Sequence, residues 1–139
     1  KAMGGGFPMG AMLAREEVAA NFGRGDHAST FGGNALACAA AIANIEVIKK
    51  EGLVKRSEEL GNYLVKKLKN LNKDYVKGVR GKGLMVGMEL STKCEDIVNR
   101  ARDRGVLLNC TSESVLRFVP PLTITKEQLD KAVSVLDEI

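Results

Sequence analysis

The chain has 139 residues, 45% of them apolar and 27% charged, proportions that exclude a disordered or collagen-like protein. One histidine and three cysteines without CxxC spacing argue against a metal site, a disulfide scaffold and most Ser-His or Cys-His catalytic schemes, apart from one that uses His27. No segment approaches the roughly 20 apolar residues that cross a bilayer. We therefore expect no metal, no membrane partner and an intracellular, cytoplasmic location.

The net charge of +4 is unevenly distributed, because residues 49–82 carry +7 and the rest of the chain −3. A basic stretch of this kind can bind nucleic acid. Here, however, the lysines alternate with leucines, as on the solvated face of an amphipathic helix, and aromatic side chains are sparse. We favour the solvated face and expect no nucleic-acid partner.

The first half of the chain changes from glycine-rich to alanine-rich sequence. Its glycine-rich start predicts a short strand over residues 9–14 and a short helix near residues 15–21. Asn34 is a favourable N-cap, and the alanines that follow predict a helix over residues 35–50. Gly52 can close that helix.

The second half predicts a helix followed by a β-β-α-β-β-α unit. Leucines on one face predict the helix over residues 53–71, with Gly61 as an interruption. The last helix starts at a capping box formed by Thr125 and Gln128. The predicted strands and the helix between them cover residues 76–80, 84–90, 95–104 (helix), 106–109 and 115–119. This order indicates an α+β unit, a mostly antiparallel sheet with helices on one face.

Two segments contain residue types that suit a phosphorylated cofactor. Lys1 lies beside the glycines of residues 4–6, and a lysine with a lowered pKa can form a Schiff base and move protons. Ser29 and Thr30 offer hydroxyls just before two glycines and the helix N-terminus at Asn34, which suits a phosphate. Each signal alone is weak, because a terminal lysine is usually solvated and Ser/Thr before a helix is usually a cap.

Taken together, the segments KAMGGGFPMGAMLA, HASTFGGNALACAAA, VRGKGLMVGMEL and LRFVPPLTIT resemble the class III (ornithine-type) aminotransferases. These are fold-type I enzymes that depend on pyridoxal 5′-phosphate (PLP). The resemblance covers essentially the whole chain and is nearest to the acetylornithine branch. It implies an α/β protein in which residues 1–52 end the large PLP-binding domain and residues 53–139 form the C-terminal small α+β domain.

The resemblance also implies roles for four residues. Lys1 matches the lysine that holds PLP and moves the substrate proton. Thr30 matches the residue that hydrogen-bonds the PLP phosphate of the neighbouring subunit, which implies a homodimer with its active site at the interface. Ser29 matches a substrate-contacting position, and Arg117 matches an arginine that can meet a substrate carboxylate. From the residues alone, a surface position or a structural ion pair accounts equally well for Arg117.

The activity implied is transfer of an amino group from N-acetylornithine to 2-oxoglutarate, in arginine biosynthesis. Ornithine, 4-aminobutyrate, N-succinylornithine, N-acetyl-diaminopimelate and a carrier-bound lysine precursor remain open as donors. In the family, the acidic partner of the pyridinium nitrogen and the ring-stacking aromatic residue precede the lysine, with which this chain begins. We therefore expect a fragment that is inactive alone. The alternative is a non-enzymatic, self-associating C-terminal module.

Overall fold

A computed structural model describes residues 2–139, which divide into two compact units at Glu51 and Gly52. No helix in this range is long and apolar enough to span a membrane. The interpretation of the two units as the end of a large domain and a small domain stays a prediction.

The first unit contains helices α1 (Glu16–Ala19) and α2 (Ala35–Lys50), both at the predicted positions. The Asn34 side chain accepts a hydrogen bond from the Ala37 N–H at 2.9 Å, which confirms the N-cap. The strand predicted for residues 9–14 is wrong. These residues are nearly all exposed, and no described residue of the unit offers them the partner strand that a ladder requires.

The second unit has the predicted order of elements. They are α3 (Leu53–Lys69), β1 (Val76–Lys82), β2 (Met85–Leu90), α4 (Glu95–Asp103), β3 (Asn109–Thr111), β4 (Val115–Phe118) and α5 (Lys126–Glu138). The four strands form one antiparallel sheet in the order β1-β2-β4-β3. The capping box of Thr125 and Gln128 starts α5 as predicted. This is the α+β arrangement that the sequence indicated.

The core of this unit lies on one face of the sheet. Alternate residues of β2, namely Val86, Met88 and Leu90, are each only 1% exposed, as the period of two predicts. They belong to one apolar cluster with leucines of α3 and α5, such as Leu64 and Leu129. Burial of each side chain of this size stabilises the fold by about 1.5–3 kcal/mol, so this face of the sheet is committed to the core. The opposite face remains available for other contacts.

The expected interruption at Gly61 does not occur, because α3 is continuous through this residue. Gly61 is buried, and a Cβ added there would collide with the backbone of Gly83 in the β1–β2 turn. Gly83 has a φ of +53°, which favours glycine. The glycine in the helix therefore provides close packing against the hairpin and does not break the helix.

Two expectations are wrong: the bounds of β3, and the argument from cysteine spacing against disulfides. The strand covers Asn109–Thr111, whereas the sequence predicted residues 106–109, because pairing with β4 begins only where Asn109 faces Arg117. The strand also brings Cys110 to Cys94, just before α4, and the two form a disulfide with Cα atoms 5.8 Å apart. Cysteine spacing along the chain did not predict this pair, because the fold brings together residues that are 16 positions apart.

Candidate active site

The loop before α2 is shaped by two glycines. A Cβ at Gly32 would lie 2.9 Å from the Ser29 side chain, and Gly33 has a φ of +67°. The Asn34 side chain also donates to the Phe31 carbonyl at 2.7 Å, which closes the turn directly before the helix. The loop therefore has a defined backbone that larger residues at the glycine positions would not accept.

This loop presents hydrogen-bond donors that are not used elsewhere in residues 2–139. The hydroxyls of Ser29 and Thr30 have no partner in this range, and neither do the N–H groups of Thr30 and Gly33. The first N–H groups of α2 add the positive end of a helix dipole. Ser29 and Thr30 are both exposed, so the loop has the donors and the access that an external phosphate group requires.

Lys1 lies outside the described residues, but the segment that follows it is well defined. The Gly5 N–H donates to the Ala2 carbonyl and the Phe7 N–H to the Gly4 carbonyl, both at 3.1 Å. The Asn44 side chain, on α2, donates to the carbonyls of Ala2 and Met3 at 3.0 Å each. The residues directly after Lys1 are thus two consecutive turns attached to α2.

Arg117 lies on the solvent face of the sheet, because its neighbours Leu116 and Phe118 face the core. Across the sheet it is opposite Gly87 of β2 and Asn109 of β3, and Gly87 is opposite Arg80 of β1. The Arg80 guanidinium donates to Glu89 at 2.7 Å. Arg117 has no carboxylate within 4.0 Å in the described part of the chain, so the structural ion pair is not found there.

Arg117 also lines a cleft of about 700 Å³ within the second unit, together with Asn109, Pro121, Leu129 and Lys131. The lining is mainly apolar, and Arg117 and Lys131 are its two cationic residues. The structure leaves Arg117 available for an external anion.

A charged cluster joins α3 to α5 in the same unit. The Tyr63 hydroxyl donates to Asp130 at 2.7 Å, and Lys67 lies 2.9 Å from the same carboxylate. The hydrogen bond from Lys67, followed by that from Tyr63, lowers the pKa of Asp130. The same contacts with Asp130 raise the pKa of Tyr63 and of Lys67. None of the predicted site residues belongs to this cluster, so we interpret it as structural.

Sequence patterns alone did not identify Asn44 as a contact residue. The signal was present, because Asn is a poorer helix former than Ala and stands in the interior of an alanine-rich helix. The partners of Asn44 lie 41 and 42 residues earlier in the chain, and only the fold identifies them.

Comparisons with known proteins bear on the whole chain. The family model for class-III aminotransferases matches residues 1–139. The acetylornithine aminotransferase of Methanosarcina acetivorans is 59% identical over 138 residues, which cover 99% of this chain and 34% of that protein. This chain therefore spans about a third of the length of such relatives.

Solved structures of aminotransferases also match this chain. The acetylornithine aminotransferase of Elizabethkingia anophelis matches with a TM-score of 0.83 and 34% identity, over 91% of this chain and 35% of the other. The ornithine aminotransferase of Toxoplasma gondii, which has PLP at partial occupancy in its active site, also matches with a TM-score of 0.83 and 34% identity. That match covers 91% of this chain and 31% of the other.

Proposed function

The chain belongs to the class-III aminotransferases, and from this premise we propose that it is part of an N-acetylornithine:2-oxoglutarate aminotransferase of arginine biosynthesis. The observation that carries the proposal is 59% identity, across nearly the whole chain, to an acetylornithine aminotransferase. The family depends on PLP. When bound, PLP withdraws electrons from the substrate carbon whose proton is removed.

The loop before α2 fits the phosphate of this cofactor. The Thr30 hydroxyl and the free N–H groups near the start of α2 can donate to phosphate oxygens, and the helix dipole favours their negative charge. Ser29, adjacent and exposed, can contact the substrate. In the proposed enzyme these residues serve the active site of the neighbouring subunit, so that a homodimer is required for activity.

Lys1 and Arg117 have the chemically distinct roles. Lys1 would supply the amine that holds the cofactor; once the amine of the substrate has displaced it, the free lysine amine would take the proton from the donor carbon and later return it. Arg117 binds a substrate carboxylate through paired N–H donors, which orients the substrate for that transfer. The exposure of Arg117 and its lack of a carboxylate partner in the described range support this role.

We further propose that the parent enzyme is cytoplasmic and that this 139-residue chain does not transaminate alone. The resemblance assigns the acidic partner of the pyridinium nitrogen and the ring-stacking aromatic residue to sequence upstream of Lys1. A self-associating C-terminal module without enzymatic activity is the alternative for the isolated chain. Sedimentation tests it, since a strictly monomeric chain would contradict that alternative.

Ornithine is the second candidate donor, and one observation keeps it in consideration. The ornithine aminotransferase of Toxoplasma gondii matches this chain with the same TM-score and identity as the acetylornithine enzyme of Elizabethkingia anophelis. The structural likeness therefore does not separate the two donors, and the 59% sequence identity favours N-acetylornithine.

The test uses the purified full-length parent. A donor panel should give the highest kcat/KM with N-acetylornithine, and a higher value with ornithine would replace the proposed donor. Borohydride reduction of the PLP-loaded enzyme should attach the label to Lys1, as peptide mass spectrometry would detect. The Lys1→Arg variant should lose the label and the matched Lys50→Arg variant should keep it. Labelling of another lysine would refute the assignment of Lys1.

A further inference from the structure

Asn44 lies in the interior of α2 and is half-buried, with no role in capping or in the core. Its amide nitrogen donates to two backbone carbonyls, those of Ala2 and Met3, at 3.0 Å each. Because carbonyl oxygens only accept hydrogen bonds, the group facing them must be the NH₂ end of the amide. Both hydrogens of the amide are thereby used on one short backbone segment.

That segment is already folded tightly by its own hydrogen bonds. The Ala2 carbonyl also accepts from the Gly5 N–H at 3.1 Å. Gly4 is buried, and a Cβ there would collide with the Phe7 carbonyl. Gly5 and Gly6 have φ values of +59° and +115°. The turns are therefore a compact body, and among the described residues Asn44 provides the side-chain hydrogen bonds that connect it to α2.

The residue type supports a specific role for this contact. Asn lowers the stability of a helix interior relative to Ala, and six of the sixteen residues of α2 are Ala. A residue that disfavours its own helix is expected to compensate through a contact elsewhere. Here that contact is made to the two residues that directly follow Lys1 in the chain.

We propose that Asn44 is a positioning residue for Lys1. By fixing the carbonyls of Ala2 and Met3 against α2, it sets where the backbone leaves Lys1 and hence where the lysine amine meets the cofactor. The inference rests on the proposed function of Lys1. Displacement of a reacting group by about 1 Å can cost on the order of 10²-fold in rate, so a backbone attachment next to the reactive lysine has a large effect.

The experiment compares the full-length parent with three variants. Asn44→Ala removes both hydrogen bonds, and Asn44→Asp keeps the size but places an acceptor against two acceptors. Asn62→Ala is the matched control, since Asn62 is an exposed residue inside α3 with no side-chain hydrogen bond in the described range. Hydrogen–deuterium exchange in the cofactor-free protein reports the segment over residues 2–10, and a PLP titration reports cofactor affinity.

We expect faster exchange in residues 2–10 and a PLP Kd raised about tenfold in both Asn44 variants, equivalent to about 1.4 kcal/mol. Asn62→Ala should leave both unchanged. A merely structural Asn44 would lower the melting temperature without changing the PLP Kd of the folded enzyme, and that result would overturn the inference. If Asn44→Asp does not fold, Asn44→Ala still decides. If Lys1 of the wild-type protein takes no borohydride label, the proposed function itself is contradicted. If the wild type is labelled but the Asn44 variants have unchanged exchange and PLP Kd, only this inference is contradicted.

Discussion

Arg80, Gly87, Arg117 and Asn109 face one another across the four strands of the sheet. Of the two arginines in this row, Arg117 has no ion-pair partner in the described range. Gly87 beside it has no side chain, and Arg80 beyond Gly87 is already bonded to Glu89 at 2.7 Å. An unpaired guanidinium suits a planar carboxylate, which binds two of its N–H donors at once.

Substitution of Arg117 by Lys in the full-length parent should therefore reduce carboxylate recognition while keeping the charge. A hydrogen bond to a charged group contributes about 1.5–3 kcal/mol, so we expect kcat/KM to fall roughly 10- to 100-fold, mainly through KM. Arg80→Lys is the control, because Arg80 is occupied by Glu89. Steady-state kinetics with varied 2-oxoglutarate measure the effect, and equal losses in the two variants would exclude a specific role for Arg117.

Asp130 gives the fold a dependence on pH. Lys67 and Tyr63 lower its folded-state pKa, so its contribution is present above its ordinary pKa of 3.8 and is lost as the pH falls through the lower folded value. The pKa of Lys67 is raised in the folded protein, so its contribution to stability is present below pH 10.5 and is lost as the pH rises through the folded-state pKa.

Urea midpoints of this chain should therefore differ between wild type and Asp130→Asn at pH 7, and the difference should shrink towards pH 2. High salt should also reduce it, because the pair is partly exposed. Asp74→Asn, at an exposed residue without an ion pair in the described range, should show no such pH-dependent difference. A difference for Asp130→Asn that stays constant with pH would show that its carboxylate charge is not the cause.

At the scale of the elements, the disulfide joins β3, the edge strand beside β4, to the start of α4. Cross-linking residues 16 apart lowers the entropy of the unfolded chain. Such a loop is expected to contribute about 3 kcal/mol.

Cys110→Ser should lower the free energy of unfolding by about that amount and abolish the effect of dithiothreitol on the urea midpoint. Cys38→Ser, at the free cysteine, should keep the sensitivity to dithiothreitol. A wild-type midpoint that does not respond to dithiothreitol would contradict the bridge.

Local patterns predicted most elements, because their causes are local. The bounds of α2 follow from Asn34 and the alanine run, and the buried face of β2 follows from alternation. The errors all have long-range causes. The role of Gly61 depends on Gly83, the start of β3 depends on Arg117, and the contacts of Asn44 lie more than 40 residues away. For the candidate site, the residue types were readable from the sequence and their contacts were not.

The two units of the whole molecule differ sharply in how much apolar surface they bury. The second unit contains a contiguous core that includes Leu64, Met88 and Leu116, each at most 1% exposed. Among residues 2–51, the buried apolar side chains are Ala37 and Ala41, whereas Leu13 is 100% exposed and Phe31 80%. Burial of apolar surface is the main favourable term in folding, so the units should differ in their ability to fold alone.

Residues 52–139 expressed alone should therefore unfold cooperatively in urea, whereas residues 1–51 alone should show no cooperative transition. Circular dichroism measures both. Leu64→Ala in the 52–139 polypeptide provides the control for a packed core and should cost about 2–5 kcal/mol, because it removes a side chain that is 1% exposed. A cooperative transition for residues 1–51 would show that contacts within this unit suffice. Its absence, together with a cooperative transition for residues 52–139, would show that the buried core of the second unit provides most of the folding free energy of this chain.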